Sequence, residues 1–228
     1  MHVNFACVDC RASCLTTFEY GALWKRTTQT TQDINGSQGL DAKPAGTPRT
    51  VTYTYNASGQ LETVRGPRTD VVELTTYTYL ADGNLSTIKN PAGHLTKYER
   101  YDAHGRVGSI TTPDGTVTEL AYKPRGWLAS SKVTSNGLSE LTTYDYDDAG
   151  QLKRVTLPDN SFVQYQYDDA HRLYRISDTA GNVIEYTLDL MGNKTAETAS
   201  TGAGVLARKV SRIFDVLGRV TSQTGAQP

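Results

Sequence analysis

The chain has 228 residues, 37% of them apolar, and 23 Lys plus Arg against 24 Asp plus Glu for a net charge of -1. That balance, with no long run of one sign, excludes a nucleic-acid grip built on bulk charge, and no stretch approaches the ~20 apolar residues that cross a bilayer. Fourteen Tyr against four Phe, together with 20 Gly and many Thr, favour strands and tight turns over long helices, so the expectation is an all-β protein.

Residues 1–16 match nothing downstream. No basic region leads into an apolar core and a small-residue cleavage site, so the expectation is a soluble chain with no export address of its own. All three cysteines lie here, as Cys7-x2-Cys10-x3-Cys14, with His2 and Asp9 nearby. Soft ligands at such spacing could hold a tetrahedral zinc ion, although structural zinc sites usually pair two separated knuckles. The plainer reading is an untidy terminal segment with free thiols and no cofactor. Disulfides do not hold the rest of the chain, which has no cysteine.

Residues 17–49 read as a degenerate unit followed by a long loop. Phe18, Tyr20, Trp24 and Arg26 match the phrase that recurs later, with Trp where a glycine is expected, and residues 27–49 are rich in Thr, Gln, Gly and Pro.

From 50 to 224 one phrase recurs: an aromatic, one residue, an aromatic, three residues, Gly, one residue, an aliphatic, two residues, then Val or Ile. Complete copies are Tyr53, Tyr55, Gly59, Leu61, Val64; Tyr77, Tyr79, Gly83, Leu85, Ile88; and Tyr144, Tyr146, Gly150, Leu152, Val155. Tyr165, Tyr167, Leu173 and Ile176 form a copy with His171 in the glycine position, and Glu99, Tyr101, Gly105, Val107 and Ile110 form another. Weaker copies run Leu120, Tyr122, Gly126, Leu128; Tyr186, Leu188, Gly192; and Phe214, Gly218, Val220. The turn position therefore recurs every 21 to 26 residues, the spacing of stacked supersecondary units. Residues 225–228 are a short tail.

Each copy has a direct physical reading. Tyr-x-Tyr puts both rings on one face of a strand, because side chains alternate with period two. The glycine accommodates positive φ in the turn, and the chain returns as a strand that lays aliphatics against the tyrosines. Pro91-Ala92-Gly93, Pro113-Asp114-Gly115, Pro158-Asp159-Asn160 and Thr179-Ala180-Gly181 mark a second turn between copies. The whole predicts tandem β-hairpins in a continuous antiparallel meander, each hairpin needing its neighbours for stability.

This phrase, with Tyr146-Asp147-Asp148-Ala149-Gly150-Gln151-Leu152 as its best example, resembles the YD repeat of the rearrangement-hotspot (Rhs) family, also found in insecticidal toxin complexes and teneurins. The resemblance implies a spiral β-sheet that wraps into a hollow shell around a polypeptide cargo, or forms a rigid extracellular barrel, in a parent protein that is exported or displayed. Complete shells of that family use many more repeats, so an arc of wall is expected, and no segment resembling the family's self-cleaving core precedes Pro228. An excised arc exposes strand edges and an apolar face, which predicts self-association as a dimer or larger.

Other chemistry competes weakly. His94, His104 and His171 sit at or beside turns, where stacking could gather them with Asp102, Asp147, Asp148, Asp168 or Asp169; a metal held by histidines at an oligomer interface, or by the terminal cysteines, would suit a hydrolase of phosphate or carboxylic esters, but local turn bonding is the better explanation of those aspartates. The tyrosines could stack on glycans, but a ladder of rings is also what the face of a sheet requires. Gly202-Ala203-Gly204 lacks the βαβ setting of a dinucleotide loop, and Asn56, Asn84 and Asn193 head glycosylation triplets too short to carry weight.

Overall fold

The computed structural model describes residues 2–6, 14–34 and 44–226. They form two compact units, 1–116 and 117–228, and each unit is an antiparallel meander in which strands adjacent in sequence pair. In the first unit these are β1 (His2–Ala6), β2 (Cys14–Tyr20), β3 (Arg26–Ile34), β4 (Pro44–Tyr55), β5 (Leu61–Arg65), β6 (Leu74–Tyr79), β7 (Leu85–Lys89), β8 (Leu95–Glu99) and β9 (Ser109–Thr111). The second has β10 (Val117–Tyr122), β11 (Leu128–Ser135), β12 (Leu138–Tyr146), β13 (Leu152–Thr156), β14 (Phe162–Tyr167), β15 (Leu173–Asp178), β16 (Val183–Leu188), β17 (Lys194–Ser200), β18 (Leu206–Phe214) and β19 (Val220–Ala226). Among the described residues the one helix is a 3-10 turn, Ala22–Trp24, and no helix is long and apolar enough to cross a membrane.

The tyrosine turns have one geometry. At Asn56–Gly59 the Gly59 N–H donates to the Asn56 carbonyl at 2.8 Å and the Asn56 N–H to the Gln60 carbonyl at 2.9 Å. Register then slips between Thr54 and Tyr55, so Tyr55 faces Leu61 across a bulge whose glycine has φ 77. This is a three-residue loop closed by a left-handed glycine, and it recurs at Gly83, Gly150, Gly192 and Gly218. His171 and Trp24 hold the same conformation at φ 60 and 56. The degenerate unit at 18–26 is thus a real hairpin, with Tyr20 opposite Arg26.

Two regions differ from the sequence expectation. Much of the stretch expected as loop over 27–49 is strand, because Thr28 to Thr31 pair with Arg49 to Thr52 and all of these except the exposed Arg49 are half-buried; residues 35–43 lie outside the described set. β-branched threonines suit a pleated, half-buried surface even where polarity suggests a loop. The copy around Gly105 is irregular, with β8–β9 pairing ending at Glu99↔Ser109 and Arg100 turning left-handed at φ 56.

The opposite rim is closed by turns with the same backbone bonding, as at Asn90–Gly93, Leu157–Asn160 and Asp178–Gly181. Asn136 and Gly137, at φ 51 and 79, instead make a two-residue hairpin turn, whose positive dihedrals match strand twist.

Val210, 5% exposed, and Ser109, 2% exposed, are the only buried residues among those described. One face carries the tyrosines and the aliphatics opposite them. The other, in the first unit, carries paired threonine hydroxyls, as in Thr54···Thr63 at 2.7 Å and Thr78···Thr87 at 2.6 Å.

Candidate functional site

The arrangement with functional meaning is the joint between repeats, made of three devices. The first is a lock within each turn. Asp168 accepts the N–H of Ala170 at 3.0 Å and of Arg172 at 2.9 Å, and its other oxygen takes Arg172 Nε at 2.8 Å. Asp102 and Arg106, Asp189 and Asn193, and Asp215 and Arg219 repeat it. The Arg172 side chain holds the Asp168 carboxyl below its ordinary value, as Asn193 does for Asp189; at Asp102, bonds from Arg106 outweigh a desolvation that acts the other way.

The second device is a latch to the preceding repeat. The second tyrosine of the phrase donates its hydroxyl to the carbonyl of the aliphatic in the previous hairpin: Tyr79 to Leu61 at 2.7 Å, Tyr101 to Leu85 at 2.8 Å, Tyr146 to Leu128 and Tyr167 to Leu152, both at 3.0 Å. Tyr55 does the same to Arg26 at 2.9 Å. Burial pushes the phenols of Tyr79, Tyr101, Tyr146 and Tyr167 up.

The third is a staple along the rim, from the residue after one turn glycine to the next turn. Gln60 Nε2 donates to the Gly83 carbonyl at 2.7 Å, Gln151 Nε2 to the His171 carbonyl at 2.7 Å, and Arg172 Nη1 to the Asp189 carbonyl at 2.7 Å. Trp127 fills this position with its ring, and a Cβ on Gly150 would lie 2.4 Å from it. The period of the sequence locates Gln60, Trp127, Gln151 and Arg172, but their reach into the next repeat appears only when hairpins stack. Variation in residue type at that position hides the shared role.

The candidates for chemistry are dispersed. His94 bonds Asn90 within a turn on one rim of the first unit, whereas His104 sits in a tyrosine turn on the other rim. His171 belongs to the second unit and meets Gln151 Oε1 through Nδ1 at 2.9 Å. Cys7 and Cys10 lie outside the described residues. His2 pairs with Glu19 and Cys14 with Asp33, which places them at opposite ends of the β1–β2 pair. Among the described residues no three His, Cys, Asp or Glu side chains gather as metal ligands. The second tyrosine of each complete copy (Tyr55, Tyr79 and Tyr146) and Tyr167 spend their hydroxyls on backbone, and their partners Tyr53, Tyr77, Tyr144 and Tyr165 are half-buried on the same face.

Hairpins that repeat one geometry and are joined by latch and staple define a repeat scaffold. A family model described as teneurin YD-shell matches residues 40–198, and the chain belongs to that family as a structural segment of YD-repeat shell. Its fold is similar to crystal structures of TcdB2-TccC3: one without the hypervariable C-terminal region has TM-score 0.75 and 16% identity, over 92% of this chain and 12% of that chain. A second has TM-score 0.70 and 15% identity, over 92% of this chain and 14% of that one. The Photorhabdus luminescens Tc holotoxin pore with a mutated TccC3 gives TM-score 0.71 and 16% identity, over 93% and 14%. The chain therefore spans about an eighth of the length of these structures. No curated protein matches it significantly.

Proposed function

We propose that the chain is a stretch of wall in a larger protein and that the wall encloses or displays a polypeptide. One observation carries this: Tyr146 and Tyr167 bond the preceding hairpin while Gln151 and Arg172 bond the turn of the following one, so these repeats set one another's position. Such joints extend a sheet by a constant step, which is what a wall needs and a compact active site does not. Among the described residues only Val210 and Ser109 are buried, which leaves the tyrosine face available to a guest. The strand edges at β1 and β19, each paired on one side only among the described residues, supply a second means of association with further strands.

The test is protection of a guest. In the natural full-length product, a polypeptide lying beyond the repeats should resist a broad-specificity protease until the array is unfolded. Digestion at the rate of the free polypeptide would overturn enclosure. Antibody access to it in the intact product would separate display from enclosure.

A further inference from the structure

The tips of the tyrosine turns change character along the second unit. The two residues before the turn glycine, or before His171 which replaces it, are Ala57-Ser58, Ala81-Asp82, Ala103-His104, Pro124-Arg125, Asp148-Ala149 and Asp169-Ala170, then Leu190-Met191 and Val216-Leu217. These last four are among the most exposed side chains of the molecule, at 102%, 73%, 88% and 72%. Both tips lie on one rim, at the β16–β17 and β18–β19 hairpins, and β17 pairs with β18, so they stand about 10 Å apart, or two strand spacings.

The tips are also held in place. Asp189 accepts the Met191 N–H and Asp215 the Leu217 N–H, both at 2.9 Å, so the turn locks fix the backbone that presents the apolar side chains. A surface ordered before binding loses less entropy when it docks. None of the four tip side chains is charged, and the nearest charges at the second tip, Asp215 and Arg219, already pair with each other at 2.7 Å.

We propose that this ridge docks a second copy of the chain about a two-fold axis, tip 190–191 of one copy against tip 216–217 of the other. A two-fold rotation sets tip 190–191 of each copy against tip 216–217 of the other, so both copies use the same surface. Four such side chains expose on the order of 500 Å², the size of a monomer's largest apolar patch. Two ridges face to face bury on the order of 1,000 Å², the lower bound of a specific interface, which suits a dimer of modest affinity. This contact is separate from strand-edge pairing and from enclosure of a guest.

Sedimentation velocity on the full chain, from low to high micromolar, provides the test. The wild type should dimerise reversibly, and Leu190→Ser with Leu217→Ser should weaken association at least tenfold while the far-UV circular dichroism stays unchanged. Met191→Ser with Val216→Ser should do the same by removing the other half of each tip. A wild-type monomer throughout would overturn the proposal and leave the ridge to another segment or protein. A dimer indifferent to both pairs of substitutions would overturn it in favour of the strand edges, and neither result bears on guest protection.

Discussion

The repeats at 144–176 and those at 186–226 share a turn and differ in their joints. In the first group Tyr146 and Tyr167 latch onto the preceding hairpin, and Trp127 and Gln151 staple the rim. In the second, Leu188 and Phe214 occupy the latch position and have no hydroxyl to donate, although Asp189 and Asp215 lock their turns as fully as Asp168 does. Turn geometry and repeat-to-repeat bonding are therefore separable: the first needs an aspartate and a left-handed residue, the second a hydroxyl that spans two strands. The group without latches is also the one with apolar tips.

The sharpest way to break this comparison is a matched pair of glycine substitutions. Gly150 and Gly192 have nearly equal φ, 90 and 88, but a Cβ at 150 meets the Trp127 ring at 2.4 Å while one at 192 has Arg172 Cδ at 3.8 Å. Gly192→Ala should cost about 1–2 kcal/mol of backbone strain, and Gly150→Ala about 2 kcal/mol more by overpacking, measured as urea midpoints. Equal losses would show that the Trp127 contact does not hold the rim.

Next come the latches. Tyr146→Phe and Tyr167→Phe should each cost about 1 kcal/mol, since each leaves a partly buried carbonyl without its donor. Leu188→Tyr should recover up to about 1 kcal/mol by donating to the previous hairpin. If the gain fails while the losses appear, the C-terminal hairpins stack with a different offset.

Acid should act on both groups alike. The locking carboxyls of Asp102, Asp168, Asp178, Asp189 and Asp215 are all lowered in the folded chain, so the unfolded state binds protons first. Their contribution is complete above the ordinary aspartate value near ~3.9 and is lost as pH falls through the depressed folded values. Thermal midpoints should be flat from neutral to about pH 5 and drop below about pH 4. Asp189→Asn with Asp215→Asn should reduce that drop, and an unchanged acid profile would remove the turn locks as its cause.

The smallest effect belongs to His171, at φ 60 where the repeat expects glycine. His171→Gly should relieve strain by about 1 kcal/mol, less whatever the Gln151 contact contributes. A net loss would make that contact more than a substitute for the missing glycine.

Much of the fold was legible. Tyr-x-Tyr and the glycine six residues after its first tyrosine are fixed by alternation along a strand and by the left-handed turn, both local constraints that recur from copy to copy. The strands at 26–34 and 44–55 were not legible, because threonine and glutamine read as loop until partner strands half-bury them. Of the joint, the tyrosines were visible but not their acceptors, since Leu128 and Leu152 lie 18 and 15 residues away.

By itself, then, the sequence determined the hairpin, its period, the face that carries the rings and the family that results. Tertiary structure alone decided which carbonyl each latching tyrosine reaches, that Gln60, Gln151 and Arg172 grip the next turn, and that Leu190, Met191, Val216 and Leu217 stand uncovered on one rim. The division is physical: steric and dihedral preferences act within a few residues and are written in each copy, whereas stacking offset and exposure depend on how successive hairpins meet.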